Sequence, residues 1–161
     1  MRTAVSTEVW FAGGVRTPFA KVDGPLAEFD AISLSVPVVR HMTDLLHDGA
    51  PDFAAWGTVV PNLTWSNIAR EVLMDVGVTP TIPAFSTVMA CSTSMIGAIE
   101  AAGMINGENR NLALVGGVES LSRIQLGLGQ SLLRARRNSK SKEARNTRAA
   151  ERNSVATGVD Q

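Results

Sequence analysis

Apolar positions in this chain fall into short runs and helical stripes that alternate up to Gly117 and then thin out. Val9-Trp10-Phe11-Ala12 is a compact run ended by Gly13-Gly14, which predicts a buried strand over 8–13 closed by a turn. From Val38 onward Val39, Met42, Leu45 and Leu46 recur at helical spacing. With Asp30 as N-cap and Gly49 as stop, a helix is predicted over 30–48, bent or restarted at Pro37. Gly57-Thr58-Val59-Val60, stopped by Pro61, predicts a strand over 57–61. Asn62 to Ser66 reads as a polar turn in which Thr64 or Ser66 caps a helix over 66–76. Ile68, Ala69, Val72, Leu73 and Val76 share one face of that helix, and Gly77 suits its end. Ala84 to Met89 predicts a third strand, followed by a helix of small and apolar residues over 91–106. Leu112 to Val115, closed by Gly116-Gly117, predicts a fully buried strand over 112–117. Strands alternating with helices in this way define a layered α/β domain with largely parallel strands. No fixed-period repeat is present.

Composition changes this picture at one place. The 161 residues suit one domain, and the formal net charge is zero. That zero hides an asymmetry: residues 1–130 hold 7 Lys/Arg and 12 Asp/Glu, whereas residues 131–161 hold 8 and 3. No Leu, Ile, Phe, Trp or Met occurs from Arg134 to Gln161, so that segment has little to bury and is expected to be a disordered, basic tail. The expected organisation is therefore a domain over 1–130 and a tail over 131–161. A basic tail can attract nucleic acid or anionic lipid. This one lacks aromatic side chains for base stacking, so no nucleic-acid partner is expected.

One cysteine excludes an intramolecular disulfide framework, and no His/Cys cluster offers a metal site. No apolar run approaches the roughly 20 residues needed to span a bilayer. Met1 to Thr7 has no apolar stretch of the secretory type, so a reducing, cytoplasmic location is the default expectation. His41 and His47 fall on the first predicted helix without a ligand at metal spacing, which favours solvated or half-buried histidines.

Cys91 stands where the third strand passes into a helix. The first turn of a helix leaves N–H groups unpaired and carries partial positive charge, which favours a thiolate, the nucleophilic form. Ser92, Thr93, Ser94, Gly97 and Ala98 are small enough to let other backbone approach the sulfur. The plainer reading is a buried cysteine acting as a small hydrophobe.

Four stretches bear on that choice. Val88-Met89-Ala90-Cys91 with its small followers and Val115-Gly116-Gly117-Val118-Glu119-Ser120-Leu121-Ser122 are two; Arg16-Thr17-Pro18-Phe19 and Ser66-Asn67-Ile68-Ala69-Arg70-Glu71 are the others. In this order and spacing the chain resembles the thiolase family (acetyl-CoA acetyltransferases and 3-ketoacyl-CoA thiolases). Its wording is most similar to the branch that degrades fatty acids. The resemblance covers roughly Glu8 to Gln130. It implies a layered α/β fold, the N-terminal half of a two-half enzyme, with a largely parallel mixed sheet covered by helices and left incomplete by this chain.

The resemblance also implies acyltransferase chemistry: a Cys acyl-enzyme interconverting acyl-CoA plus acetyl-CoA with 3-ketoacyl-CoA plus CoA, with Cys91 as the acyl-thioester nucleophile. No bound cofactor or metal is implied; coenzyme A thioesters are the substrates, and homo-oligomers are the rule in the family. Arg16 is either a surface charge or a loop residue near the dimer and active-site region, and Arg70 and Glu71 are either solvated or supporting. The family's proton-handling histidine and second cysteine come from its second half and have no counterpart here. The chain is therefore expected to be inactive as a truncated piece and to self-associate through an exposed sheet edge. The alternatives are a non-catalytic interaction module with this fold and a fragment of a ketoacyl synthase-like condensing enzyme. A eukaryotic source would move the expected compartment to the mitochondrial matrix.

Overall fold

The computed structural model describes residues 8–46, 49–60, 62–108, 110–125, 127 and 129–157. The chain divides into two compact units, Met1–Gln125 and Leu126–Gln161. The first holds a parallel three-stranded sheet in the order β2-β1-β3, built from β1 (Phe53–Gly57), β2 (Ala84–Phe85) and β3 (Ala113–Gly117). Helices α1 (Ala31–Asp44), α2 (Ile68–Val76) and α3 (Thr93–Glu108) cover it. The α/β fold with parallel strands and an open sheet is thus as expected.

Alternation along β1 and β3 sorts the packing. Ala54, Trp56 and Leu114 point to one face, where they meet Val39 of α1 and Ile68, Ala69, Val72 and Leu73 of α2. Ala55 and Val115 point to the other face, where Gly97 of α3 lies against them. Phe53, Val39, Ile68, Val72 and Leu73 are fully buried, each worth about 1.5–3 kcal/mol over exposure. Trp56 fits because its register partner is Gly116: a Cβ there would overlap the indole ring. The indole Nε1 donates to Ser35 Oγ at 2.9 Å, so the one polar atom of this large buried side chain is satisfied.

The local signals explain the helix ends. Asp30 caps α1, its Oδ1 accepting from Ser33 N at 2.8 Å, and the helix runs through Pro37 without interruption. Asn67, rather than Thr64 or Ser66, caps α2: its Oδ1 accepts from Arg70 N at 3.1 Å. The same side chain donates to Ala84 O at 3.0 Å and accepts from Ser86 Oγ at 3.1 Å, which ties the edge strand to α2. Gly77 ends α2 with φ +88°, a conformation that favours glycine.

Three strand expectations are corrected. Residues 8–20 form no strand; Trp10 and Phe11 are 77% and 91% exposed. A strand persists only with a ladder partner. The free edge of β3 is separated from Val9–Val15 by an apolar cleft of about 390 Å³, lined also by Met42 of α1 and Ala98, Ala101 and Ile105 of α3. The strand predicted over 57–61 lies earlier, at Phe53–Gly57, because Glu119 takes up the N–H groups of Val59 and Val60. The strand predicted over 84–89 keeps only Ala84–Phe85 as ladder.

In the second unit α4 (Gln130–Thr157) is a 28-residue helix where disorder was expected. It contains neither Gly nor Pro, and Ala, Arg, Lys and Glu are strong helix formers that need no burial to favour this backbone.

Candidate active site

Chain order places the site. β1 connects through α2 to β2 on one side; β2 then connects through α3, on the opposite face, to β3 on the other side of β1. Connections therefore diverge between β1 and β3, and in open parallel sheets the crevice at the carboxyl ends of such strands is where ligands bind. Gathered there are Gly57-Thr58 after β1, the 86–92 loop after β2, Gly117-Val118-Glu119 after β3, and the first turn of α3.

Glycines let α3 come this close. A Cβ on Gly57 would overlap Thr93 Cγ2 and the Thr87 carbonyl oxygen, and one on Gly117 would stand 3.4 Å from Ser94 Cβ. The small residues of α3 thus serve helix–sheet approach: a Cβ on Gly97 would stand 3.3 Å from Val115 Cγ1.

Cys91 is exposed and lies two residues before α3 begins at Thr93, not at the first helical position. Ala90 before it has φ +44°, the left-handed region that costs a residue with a Cβ about 1 kcal/mol or more. Thr93 holds this turn. Its Oγ1 accepts from Met89 N and donates to Ala90 O, both at 2.8 Å, and its own carbonyl accepts from Thr87 Oγ1 at 3.3 Å. Thr87 and Thr93 are both 6% exposed, so the turn displaying the thiol is pinned from beneath by two buried hydroxyls.

Glu119 closes the neighbouring loops. Its carboxylate accepts from Thr58 Oγ1 at 3.0 Å and from the Val59 N–H at 2.8 Å, joining the loops after β1 and β3. At the opposite end of the strands Asp52 Oδ2 accepts from the N–H groups of Asn111 at 2.6 Å and Leu112 at 3.0 Å. Those two donors, with Arg110 nearby, hold the Asp52 carboxyl below its ordinary range.

Arg16 donates to Thr17 O at 3.0 Å and lies 4.9 Å from the Phe19 ring centroid, a local cation–π contact. It lines a second cleft of about 640 Å³ together with Ser94, Gly117 and Glu119; Cys91 lies outside that lining. Arg70 supports the 80–82 loop, donating to Pro80 O at 2.8 Å and Ile82 O at 3.3 Å. Glu71 lies in the first turn of α2, and His41 is exposed in the last turn of α1. His47 falls outside the described residues. Among the described residues no group of three or more His, Cys, Asp or Glu is placed to hold a metal ion.

The roles of Thr87, Thr93 and Glu119 are not legible in the sequence. Thr93 and Glu119 were visible only as members of motifs, because their partners are reached through tertiary structure rather than spacing.

An open parallel α/β sheet with a cysteine-bearing turn at its carboxyl end defines the class. Within it, the sequence profile described as Thiolase, N-terminal domain, matches residues 9–158, further than the Glu8 to Gln130 stretch that carries the motifs, and the chain belongs to the thiolase family. It is 28% identical over 134 residues to a 3-ketoacyl-CoA thiolase of Vibrio cholerae, covering 82% of this chain and 31% of that protein. It is 29% identical over 137 residues to a 3-ketoacyl-CoA thiolase of Colwellia psychrerythraea, covering 83% and 31%. Among solved structures, the acetyl-CoA acetyltransferase of Bacillus anthracis superposes with a TM-score of 0.66 at 25% identity, covering 73% of this chain and 30% of that one. The chain thus spans about a third of the length of the curated relatives it matches.

Proposed function

We propose that this chain supplies the acyl-accepting half of a thiolase-type acyltransferase acting on coenzyme A thioesters, with Cys91 as nucleophile. The observation that carries the reading is the exposed thiol on a strained, hydroxyl-pinned turn at the carboxyl end of the sheet. In the loading step the Cys91 thiolate attacks the thioester carbonyl carbon of an acyl-CoA. The tetrahedral adduct collapses, its carbon–sulfur bond to CoA breaks, and CoA leaves as a thiolate that takes up a proton. In the cleaving direction the thiolate attacks the 3-keto carbon of a 3-ketoacyl-CoA. The C2–C3 bond then breaks, and its electron pair goes to C2, which is protonated to give acetyl-CoA. Either route leaves an acyl group on Cys91.

Among the described residues, the loops at the carboxyl ends of the strands hold no histidine and no second cysteine to move protons quickly for Cys91. Cys91 is the chain's only cysteine, and His41 lies on an exposed face of α1. Each missing proton-transfer group costs about 10²–10⁴ in rate. The isolated chain should therefore accept one acyl group and turn over very slowly. The same reading puts its natural setting in a homo-oligomer in the cytoplasm, or in the mitochondrial matrix of a eukaryote.

The test is incubation with acetyl-CoA and a medium-chain 3-ketoacyl-CoA, followed by peptide mass spectrometry. One acyl group on the Cys91 peptide, absent from Cys91→Ser, is expected. An unmodified Cys91, or equal labelling of other nucleophiles, would defeat the assignment. Rapid multiple turnover by the isolated chain would defeat the claim that it is half a machine.

A further inference from the structure

We propose that α4 is a docking element for double-stranded DNA, held by contacts to the phosphate backbone. The inference stands on the second unit alone and is independent of the acyl-transfer reading. Between Arg134 and Arg148 every residue is exposed, and seven of these fifteen side chains are cationic against one acidic group, Glu143. No described ion pair engages the cations. At 1.5 Å per residue the segment is about 21 Å long.

The cations are not spread evenly around the helix. Arg134, Arg137, Arg145 and Arg148 follow at intervals of 3, 8 and 3 residues. At roughly 100° per residue this places all four within an arc of about 80°. Arg136, Lys140 and Lys142 lie off that arc. The hydroxyls of Ser139 and Thr147 donate to the helix's own carbonyls, at Arg136 and Glu143, so they do not compete at the stripe.

Charge complementarity selects the partner. A linear row of guanidinium groups matches a regular row of phosphates, to which arginine donates bidentately. An anionic membrane is the weaker match. A helix lying in a lipid interface needs an apolar face along its length; α4 carries the exposed Leu132 near its start, but between Arg134 and Arg148 its apolar side chains are only the methyl groups of Ala135 and Ala144. Single strands are disfavoured because α4 contains no aromatic platform. No nucleic-acid partner is expected on that ground, but a duplex keeps its bases stacked and needs no aromatic platform. B-form DNA has a major groove wide enough for an α-helix, whereas the corresponding groove of duplex RNA is too narrow.

The test uses the full chain and a mixed-sequence DNA duplex of about two helical turns, titrated between about 50 and 200 mM salt. Four phosphate contacts predict a slope of log affinity against log salt of about −4. Arg137→Gln/Arg145→Gln should flatten it by about two. Arg136→Gln/Lys142→Gln, with the same charge change, should flatten it by less than half as much. Glutamine is close to arginine in helix propensity, and circular dichroism confirms that each variant keeps its helix. No binding at low salt, equal loss in the two double variants, or tighter binding to phosphatidylserine vesicles, duplex RNA or single strands than to duplex DNA would each overturn the proposal.

Discussion

Replacing Gly57 by alanine should loosen the fold and the Cys91 turn together. The added Cβ would overlap the Thr87 carbonyl oxygen and Thr93 Cγ2 and stand 2.9 Å from Thr87 Oγ1. Backbone cannot swing aside as a flexible side chain can, so the 87–93 segment must move by on the order of 1 Å. Overpacking of this kind costs about 1–3 kcal/mol. Breaking the buried Thr87 Oγ1 to Thr93 O hydrogen bond adds about 1 kcal/mol. A total of about 2–4 kcal/mol is a large share of a domain's stability of about 5–15 kcal/mol. At roughly 4 °C per kcal/mol, Tm should fall by about 8–16 °C. Thermal unfolding followed by circular dichroism measures this, and the rate of Cys91 alkylation by iodoacetamide reports the turn. Adding Thr93→Ser removes one clashing methyl and keeps the hydroxyl, so it should recover part of the loss. Gly103→Ala is the control: it lies in α3 with nothing within 4 Å of its Cβ position, and should gain about 0.5–1 kcal/mol. A Gly57→Ala protein within about 0.5 kcal/mol of the parent, a change typical of surface substitutions, would show that α3 does not approach the strand ends so closely.

Three further outcomes follow from named contacts. Ser35→Ala leaves the buried Trp56 Nε1 without its acceptor and should cost about 1–3 kcal/mol by denaturant titration, with Ser35→Thr costing less; an unchanged midpoint would refute the bond. Glu119→Ala frees the N–H groups of Val59 and Val60, so their amide hydrogens should exchange faster while those of α2 do not, and uniform protection would count against the latch. Because the Asp52 carboxyl is depressed in the folded state, its contribution is present above the ordinary carboxylate value of 3.8 and is lost as pH falls through the lower folded value. Asp52→Asn should therefore flatten the acid limb of the stability profile and leave its slope near neutral pH unchanged, and an identical acid limb would refute the assignment.

How much of this was legible in sequence depended on where each residue's partner lies. α2 could be read almost to the residue because its apolar stripe and Gly77 are local signals. β3 was legible for a similar reason: an apolar run closed by two glycines has few other uses. β1 was misplaced because Thr58-Val59-Val60 carries the β-branched signature, whereas Phe53-Ala54-Ala55-Trp56 is held as a strand by burial on both faces. Val9–Ala12 has a strand's composition but no ladder. Cys91 was expected in the first turn of a helix directly after a strand; it lies on the connection between β2, which ends at Phe85, and α3, which begins at Thr93. What could not be read was the support beneath it, because Gly57 meets Thr87 and Thr93 only after the sheet has formed. The helix of the second unit was hidden by a correct inference from composition: a segment with nothing to bury can still favour helical backbone.

The strand order β2-β1-β3 has a consequence for synthesis. Phe53 to Gly57 is the innermost strand, yet it leaves the ribosome before either neighbour. Its second neighbour begins at Ala113, so the strand that ends up buried at every position waits while the 55 residues from 58 to 112 are made. At about 5–20 residues per second that interval is roughly 3–11 s. Throughout it, Phe53 and Trp56 have no finished sheet to enter, so apolar surface that the folded domain buries stays open on the growing chain.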